Sequence, residues 1–337
     1  LALSTREDVD VVVELIGGTT IAKTIIADAL AAGKHAVTAN KALLAEHGTE
    51  LFALAAKKGV HLGYEASVAG GIPILQSIRE TLGANRTQSF MGIVNGTCNF
   101  ILTEMTRSGM GFDEALKLAQ EKGFAEADPA LDIEGWDSAH KLTILIMLCF
   151  GRHYPLHELP VFGVTMVHAQ DIAFAKELGY RIKLLASARQ VEGHIEAGVF
   201  PALIREGALL AKVEGSFNAV RLDGNAGPIV LYGHGAGDRP TGSAVLGDIM
   251  SIARGAPPNN TGFADPAFDK ADILDLDEAI SPHYLRFHVL DQPGVLRDAA
   301  GAMAKHDVSL AQVVQKGKDE SGGSVPLIFL THEAPAR

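Results

Sequence analysis

Residues 9–18, VDVVVELIGG, are a continuous β-branched run that ends in paired glycines. Such a run, apolar on both faces, fits a strand buried in a parallel sheet, with the glycines turning the chain at its carboxyl end. TTIAKTIIADALAAGK follows with helical spacing and a stop at Gly33. Then come HAVTANK as a second strand, ALLAEHGTELFALAAKKG as a second helix and VHLGYEAS as a third strand. Strict alternation of strand and helix predicts a parallel, doubly wound sheet. Such sheets bind ligands beyond the carboxyl ends of their strands, where glycine turns expose backbone N–H groups to a phosphate or a ribose. The G-x-G-x-x-G that opens the first βαβ unit of a dinucleotide fold is absent from residues 1–40, so the chain is expected to begin after that unit.

Residues 64–234 change character. Helical stretches (IPILQSIRETLGA, FDEALKLAQEKG, AHKLTILIMLCFG, DIAFAKELGYRIKLLASA) mix with alternating strands (HIEAGVFPALI, NAVRLDG, GPIVLYG). That mixture predicts an α+β domain with one open sheet. Residues 233–255 form a Gly-rich turn leading into a helix, and the Pro- and Asp-rich residues 258–278 read as a linker. From Tyr284 onward the pattern is strand, helix, strand, Gly-rich hairpin and strand. This is most of a β-α-β-β-α-β unit, stopping where the second helix would start.

Composition removes several classes of function. With 29 basic and 40 acidic residues the net charge is −11, and no basic cluster offers the patch a nucleic acid needs. No apolar run reaches the roughly 18 residues of a membrane span, and LALSTREDVD lacks the regions of a signal peptide. Cys98 and Cys149, the only two cysteines, are too few for a disulfide framework, and a reducing cytoplasm is the simple reading. Three Asn-x-Thr tripeptides are coincidence in that compartment. The thirteen histidines show no metal-ligand spacing.

The richest chemistry lies in GFAEADPALDIEGWDSAHK, residues 123–141, where Glu126, Asp128, Asp132, Glu134 and Asp137 precede Lys141. A helix starting near Glu134 or Gly135 places Asp137 and Lys141 at i and i+4 on one face. Two readings stay open: a surface ion pair, or the wall of a cleft, since the following LTILIMLCFG is almost wholly apolar. In a cleft, the ammonium would be a proton donor and the carboxylates would suit a zwitterionic, amino-acid-like ligand. TANKALL puts Asn40 and Lys41 past a strand end, either as a helix start or facing a ligand. YEASVAGGIP is either a tight turn or a cage of carbonyls from Val68, Gly70 and Ile72 around Glu65. In VNGTCNF, read as an apolar strand, Asn95 and Thr97 either staple a turn or contact a ligand.

Taken together, DVVVELIGG, AGKHAVTANKALLA, YEASVAGGIPI, GIVNGTCNFILTEM, GFAEADPALDIEGWDSAHKLTIL and GHGAGDRPTGSAVLGDI resemble homoserine dehydrogenase, in that family's order from about residue 9 to 255. The last segment resembles an ACT regulatory domain, as in monofunctional bacterial members. The resemblance implies reversible reduction of L-aspartate 4-semialdehyde to L-homoserine with NADPH or NADH, on the route to threonine and methionine. It places the catalytic lysine at Lys141, the substrate acids at Glu126 and Asp137, and a cofactor-contacting lysine at Lys41. It adds the nucleotide loop of Gly17, Gly18 and Thr19, and brings Gly123, Gly235 and Gly237 toward the nicotinamide. Asn95 and Thr97 join the candidate substrate contacts. A structural monovalent cation, usually sodium, would fall on Glu65, Val68, Gly70 and Ile72.

The resulting organisation is a partial dinucleotide-binding domain over 1–63, with 235–257 returning to it. A catalytic and dimerisation domain over 64–234, a linker over 258–278 and a truncated ferredoxin-like ACT domain over 279–337 complete it. Expected partners are the small-molecule substrate, threonine at the ACT domain and further copies of the chain in a homodimer or homotetramer. A second reading is a catalytically inactive amino-acid-binding regulator built on the same fold. A semialdehyde dehydrogenase ranks last, because Cys98 and Cys149 sit in apolar contexts unsuited to a nucleophile.

Overall fold

Three short parallel strands, β1 (Val11–Glu14), β2 (His35–Thr38) and β3 (Leu62–Gly63), lie side by side in that order in the computed structural model. The structure describes residues 4–266, 268–316 and 323–336 and divides into two units, 1–273 and 274–337. The crossovers are α1 (Thr20–Ala31) and α2 (Lys41–Lys58). Residues at helical spacing face the core: Ala22, Ile26 and Leu30 from α1, and Leu44, Leu51 and Ala55 from α2. Asn40 caps α2 by accepting from the Leu43 amide at 3.0 Å, and Gly59, in the left-handed region at φ 65°, ends it after Lys57 and Lys58.

The chain then forms α3 (Ile74–Gln76), which widens into a π turn over Ser77–Thr81. Five antiparallel strands follow: β4 (Thr87–Ile93), β5 (Tyr180–Val191), β6 (His194–Arg205), β7 (Phe217–Gly224) and β8 (Gly227–His234), in the order β6-β5-β4-β7-β8. The intervening helices are α4 (Gly96–Ser108), α5 (Phe112–Glu121), α6 (Ala130–Ile133), α7 (Trp136–Phe150) and α8 (Ala169–Glu177). Helix α9 (Asp238–Ala253) returns to β2 and β3. Helix α7 packs on α2 on one side and on β5 and β6 on the other. It can do so because Leu142 and Ile144–Leu148 are apolar all round and buried. Each such side chain contributes about 1.5–3 kcal/mol by leaving water.

Several expectations differ from the structure. Residues 180–188, read as the end of a helix, are β5: Gly179 at φ 80° stops α8, and the strand is buried continuously from Ile182 to Ala186. Residues 94–100, read as strand, are a turn and the start of α4, with Asn95 as the cap. Strand β4 was not foreseen. Residues 258–278, read as linker, are packed over their first part, where Asn260, Thr261, Phe268 and Ala271 are buried and Ile273 bridges Ile195.

In the second unit β10 (Tyr284–Leu290), β11 (Leu310–Gln315) and β12 (Ser324–Thr331) form an antiparallel sheet in the order β10-β12-β11. Helix α10 (Val295–Lys305) connects β10 to β11. β9 (Ile280–Ser281) pairs with β13 (Ala334–Pro335). The hairpin tip expected at 317–322 lies outside the described residues. Among the described residues no helix is long and apolar enough to cross a membrane.

The start of α7 is held by a backbone contact that tolerates no side chain. A Cβ at Gly163 would fall 2.0 Å from the Ile133 carbonyl oxygen and 2.5 Å from Glu134 Cα, while the Val164 amide donates to that same carbonyl at 2.8 Å. Gly163→Ala is expected to destabilise the protein by about 1–3 kcal/mol, read as a lower urea midpoint. An unchanged midpoint would show that this contact relaxes freely.

Candidate active site

Asp137 sits in the first turn of α7, 5 % exposed, and three elements bring cationic or amide groups onto its carboxylate. Lys141, one turn later, donates to Oδ2 at 2.7 Å. Lys41, the first residue of α2, meets Oδ1 at 3.0 Å. Asn95, at the β4–α4 turn, donates its Nδ2 to Oδ2 at 2.8 Å. Lys141 also donates to the Val94 carbonyl at 2.7 Å, so two of its three ammonium hydrogens are directed by the protein. Burial alone would push the Asp137 carboxyl up, but Lys141, Lys41 and the hydrogen bonds hold it below the usual carboxylate range. Burial opposes the charge of Lys41 in turn, yet Asp137 raises it above the ordinary lysine value.

A second carboxylate completes the cluster. Asp132, at the end of the acidic loop in α6, accepts from Asn95 Nδ2 at 2.7 Å and from the Thr97 hydroxyl at 3.0 Å. Its backbone carbonyl accepts from the Cys98 thiol at 3.1 Å. No lysine reaches it within ion-pair distance among the described residues, and its carboxyl is raised by burial and by neighbouring Asp137. Two acids five residues apart are thus driven in opposite directions, the pattern that separates roles in an acid–base site.

The expected site residues fall into two groups. Lys141, Asp137, Lys41, Asn95 and Thr97 converge on this cluster, the single hydroxyl proton of Thr97 being shared between Asp132 and the Phe124 carbonyl, 2.7 Å away. Lys41, expected at the cofactor, has its ammonium on Asp137. Glu126 is exposed and within electrostatic reach of Lys41, although its carboxylate makes no hydrogen bond in the cluster. Gly123 is exposed at φ 74°, beside the Phe124 carbonyl that Thr97 engages. Gly235 is buried against Asn218, whose Nδ2 would lie 1.9 Å from a Cβ there, and Gly237 starts α9 at φ 116°.

At the carboxyl ends of β1 and β2 the Gly17–Thr19 turn has its shape set from behind. Glu14 accepts from the Ile16 and Gly17 amides at 2.7 and 2.9 Å and from the Thr38 hydroxyl at 2.6 Å. Asn40 Nδ2 donates to the Gly18 carbonyl at 2.6 Å. The outer side is open: nothing lies within 4 Å of a Cβ at Gly17 or Gly18, and Thr19 caps α1 without a side-chain bond. An uncapped helix start behind an open glycine turn fits a dinucleotide.

The Glu65 carboxylate is already engaged by backbone amides. It accepts from the Leu75 and Gln76 amides at 2.9 and 2.7 Å, with Arg79 at 3.6 Å. Burial pushes its carboxyl up to about 7, against the pull of Arg79 and both amides. The Ile72 carbonyl accepts from the Ile74 amide at 2.7 Å, whereas those of Val68 and Gly70 accept no hydrogen bond among the described residues.

Asp132 was singled out among five carboxylates without a role of its own, and Glu14, Thr38 and the Val94 carbonyl were not singled out from the sequence. Asn95 as a cap preceding Gly-Thr-Cys was a readable signal, whereas a carbonyl ligand such as Val94 leaves none.

A parallel sheet with an open glycine turn, set beside a buried lysine and paired carboxylates, defines a nicotinamide-dependent oxidoreductase. Residues 2–65 match the family described as "Homoserine dehydrogenase, NAD binding domain", residues 73–250 match "Homoserine dehydrogenase" and residues 283–337 match "ACT domain". The chain is 46 % identical to the homoserine dehydrogenase of Neisseria gonorrhoeae, covering 98 % of this chain and 77 % of that protein. It is 40 % identical to that of Bacillus subtilis, covering 97 % and 77 %. The crystal structure of a homoserine dehydrogenase from Thiobacillus denitrificans superposes with a TM-score of 0.90 at 45 % identity, covering 97 % of this chain and 76 % of that one. A hyperthermophilic archaeal homoserine dehydrogenase in complex with NADPH superposes at 0.65 and 29 % identity, covering 74 % and 73 %. The chain belongs to the homoserine dehydrogenase family.

The two-lysine carboxylate yields a test. A folded carboxyl held below its unfolded value contributes stability that is present at neutral pH and lost as pH falls below about 4. Asp137→Asn is expected to cost about 3 kcal/mol at pH 7, the low end for stripping one partner from a buried pair, since Lys41 stays partly in water. It should also flatten the acid limb of the stability curve. Equal stability of wild type and variant at pH 7 in urea titrations would refute the assignment of Asp137 as the anchor of both lysines.

Proposed function

We propose that the chain interconverts L-aspartate 4-semialdehyde and L-homoserine with NADP or NAD, and that Lys141 is its general acid and base. The observation that carries this is the Lys141 ammonium, buried and fixed by Val94 and Asp137, with one hydrogen left for a substrate oxygen. The bound nicotinamide supplies or accepts the hydride. As hydride adds to the aldehyde carbon, negative charge develops on its oxygen; Lys141 stabilises that charge and gives up a proton to form the alcohol. In the oxidative direction neutral Lys141 takes the hydroxyl proton. Asp137 is already occupied by Lys141, Lys41 and Asn95, so it orients the lysines and does not bind the substrate ammonium. Asp132, a half-buried carboxylate with no cation in ion-pair range among the described residues, and exposed Glu126 are left for that ammonium, with Thr97 holding Asp132 in place.

A monovalent cation such as sodium would be held by the Val68 and Gly70 carbonyls, with Glu65 supplying charge from behind. The observed set fits such an ion only in part, because the Glu65 carboxylate is taken by two amides. A cytoplasmic location follows from two unpaired cysteines. Association into a homodimer or homotetramer is supported by β8, a sheet edge that carries Tyr232 at 56 % exposure. Threonine at the second unit rests on the 291–296 turn, where Gly294 at φ 98° starts α10.

Homoserine-dependent reduction of NADP or NAD, followed by absorbance, tests the activity. Lys141→Ala is expected to lower kcat by about 10²–10⁴-fold with little change in cofactor KM. Near-normal turnover in that variant would sink the assignment of Lys141, and no turnover in the wild type would favour the inactive-binder reading.

A further inference from the structure

Among the described residues, Lys183 is the one deeply buried lysine outside the site. It lies in the first half of β5 at 4 % exposure and forms no ion pair among those residues. Its ammonium donates to Asn99 Oδ1 at 2.9 Å and to the Val213 carbonyl at 2.5 Å. Burial pushes it down to about 8, a cost that an apolar residue of similar volume would not carry. A residue retained against that cost and serving only to fill space has no physical rationale.

What it grips is the foundation of the catalytic turn. Asn99 is one helical turn below Asn95 in α4, and its amide donates to the Asn95 carbonyl at 3.2 Å. Asn99 Nδ2 also reaches the Val213 and Phe217 carbonyls at 3.2 and 3.0 Å. Farther along α4, the Thr103 hydroxyl accepts from the Gly215 amide at 3.1 Å. At the top, Gly96 packs so close to Ser216 that a Cβ would meet its carbonyl at 2.8 Å. The 213–217 turn is thus clipped along α4, and Lys183 ties both to β5. A continuous set of hydrogen bonds then runs from Lys183 through Asn99 and Asn95 to Asp137 and Lys141.

We propose that Lys183 is a positioning residue for the reaction, setting the height of the Val94–Asn95 turn through Asn99 so that Asn95 and the Val94 carbonyl meet Asp137 and Lys141. It touches neither substrate nor cofactor. The proposal rests on the homoserine dehydrogenase reading, so the wild type is assayed first; absence of turnover there would fail that reading and not this one.

The test compares Lys183→Met, Asn95→Ala and their double variant, each checked by circular dichroism and urea melting. Lys183→Met is expected to lower kcat/KM for homoserine about 10- to 100-fold, the scale of a misplaced reactive geometry, with the cofactor KM unchanged. In the Asn95→Ala background the same substitution should have little further effect, because its route to the site is already cut. Multiplicative losses in the double variant, or equal losses toward homoserine and cofactor, would overturn the proposal. Should Lys183→Met not fold, Asn99→Ala removes the link from the α4 side and is expected to lower kcat/KM for homoserine in the same selective way, with the cofactor KM unchanged. An unchanged kcat/KM for homoserine in folded Asn99→Ala would overturn it equally.

Discussion

A carboxylate at 5 % exposure cannot stand alone in a protein interior, and the placement of the elements around the site follows from how Asp137 is neutralised. Its partners come from separate parts of the first unit: Lys41 from the β2–α2 junction, Lys141 from α7 and Asn95 from the β4–α4 turn. Removing any one would leave a buried charge or polar group unpaired. The cost of Asp137 therefore acts as a geometric lock. It registers the parallel sheet, which lies in the NAD-binding region, against the α+β half, which carries Lys141, the proposed proton donor.

Helix α7 is what makes that lock affordable to the fold. Leu142 and Ile144–Leu148 are apolar and buried, and the helix packs on both α2 and the five-stranded sheet, so it cannot rotate without exposing core. Lys141 is carried on the same rigid body. The glycine turn at 17–19 is likewise shaped from behind by Glu14, Thr38 and Asn40, leaving its outer surface free of side chains. In both places the protein satisfies its own polar groups inward and leaves one face available.

Legibility in the sequence followed the range of the interactions. The α1, β2, α2 alternation was readable because apolar period and glycine stops are local, and so was the i, i+4 pairing of Asp137 with Lys141. Residues 180–188 misled because an apolar run containing Lys183 suits either helix or strand; Gly179 was the punctuation that decided it. Asn95 and Thr97 were singled out, yet their partner Asp132 lies more than thirty residues away, and no spacing rule joins them. Glu65 shows the converse. Its turn of glycines and carbonyls suggested a cation cage, but the amides of Leu75 and Gln76, at the start of a helix, claim its carboxylate. A side chain's commitment to a neighbouring helix end is a tertiary fact.

The opposed shifts of Asp132 and Asp137 bear on how one site handles a zwitterion and a proton together. Asp137, saturated with cations, is a fixed negative charge that keeps two ammoniums in place. Asp132 shares Asn95 with it but lacks a cation, and its proton affinity is raised by burial and by the charge of Asp137. On the proposed reading, a substrate ammonium would supply what Asp132 lacks, so binding energy would come from that charge imbalance. Because Asn95 bridges both carboxylates, a single side chain would align the proposed ammonium site with Lys141. Discrimination against substrates without the amino group would then follow, since they would leave half-buried Asp132 uncompensated.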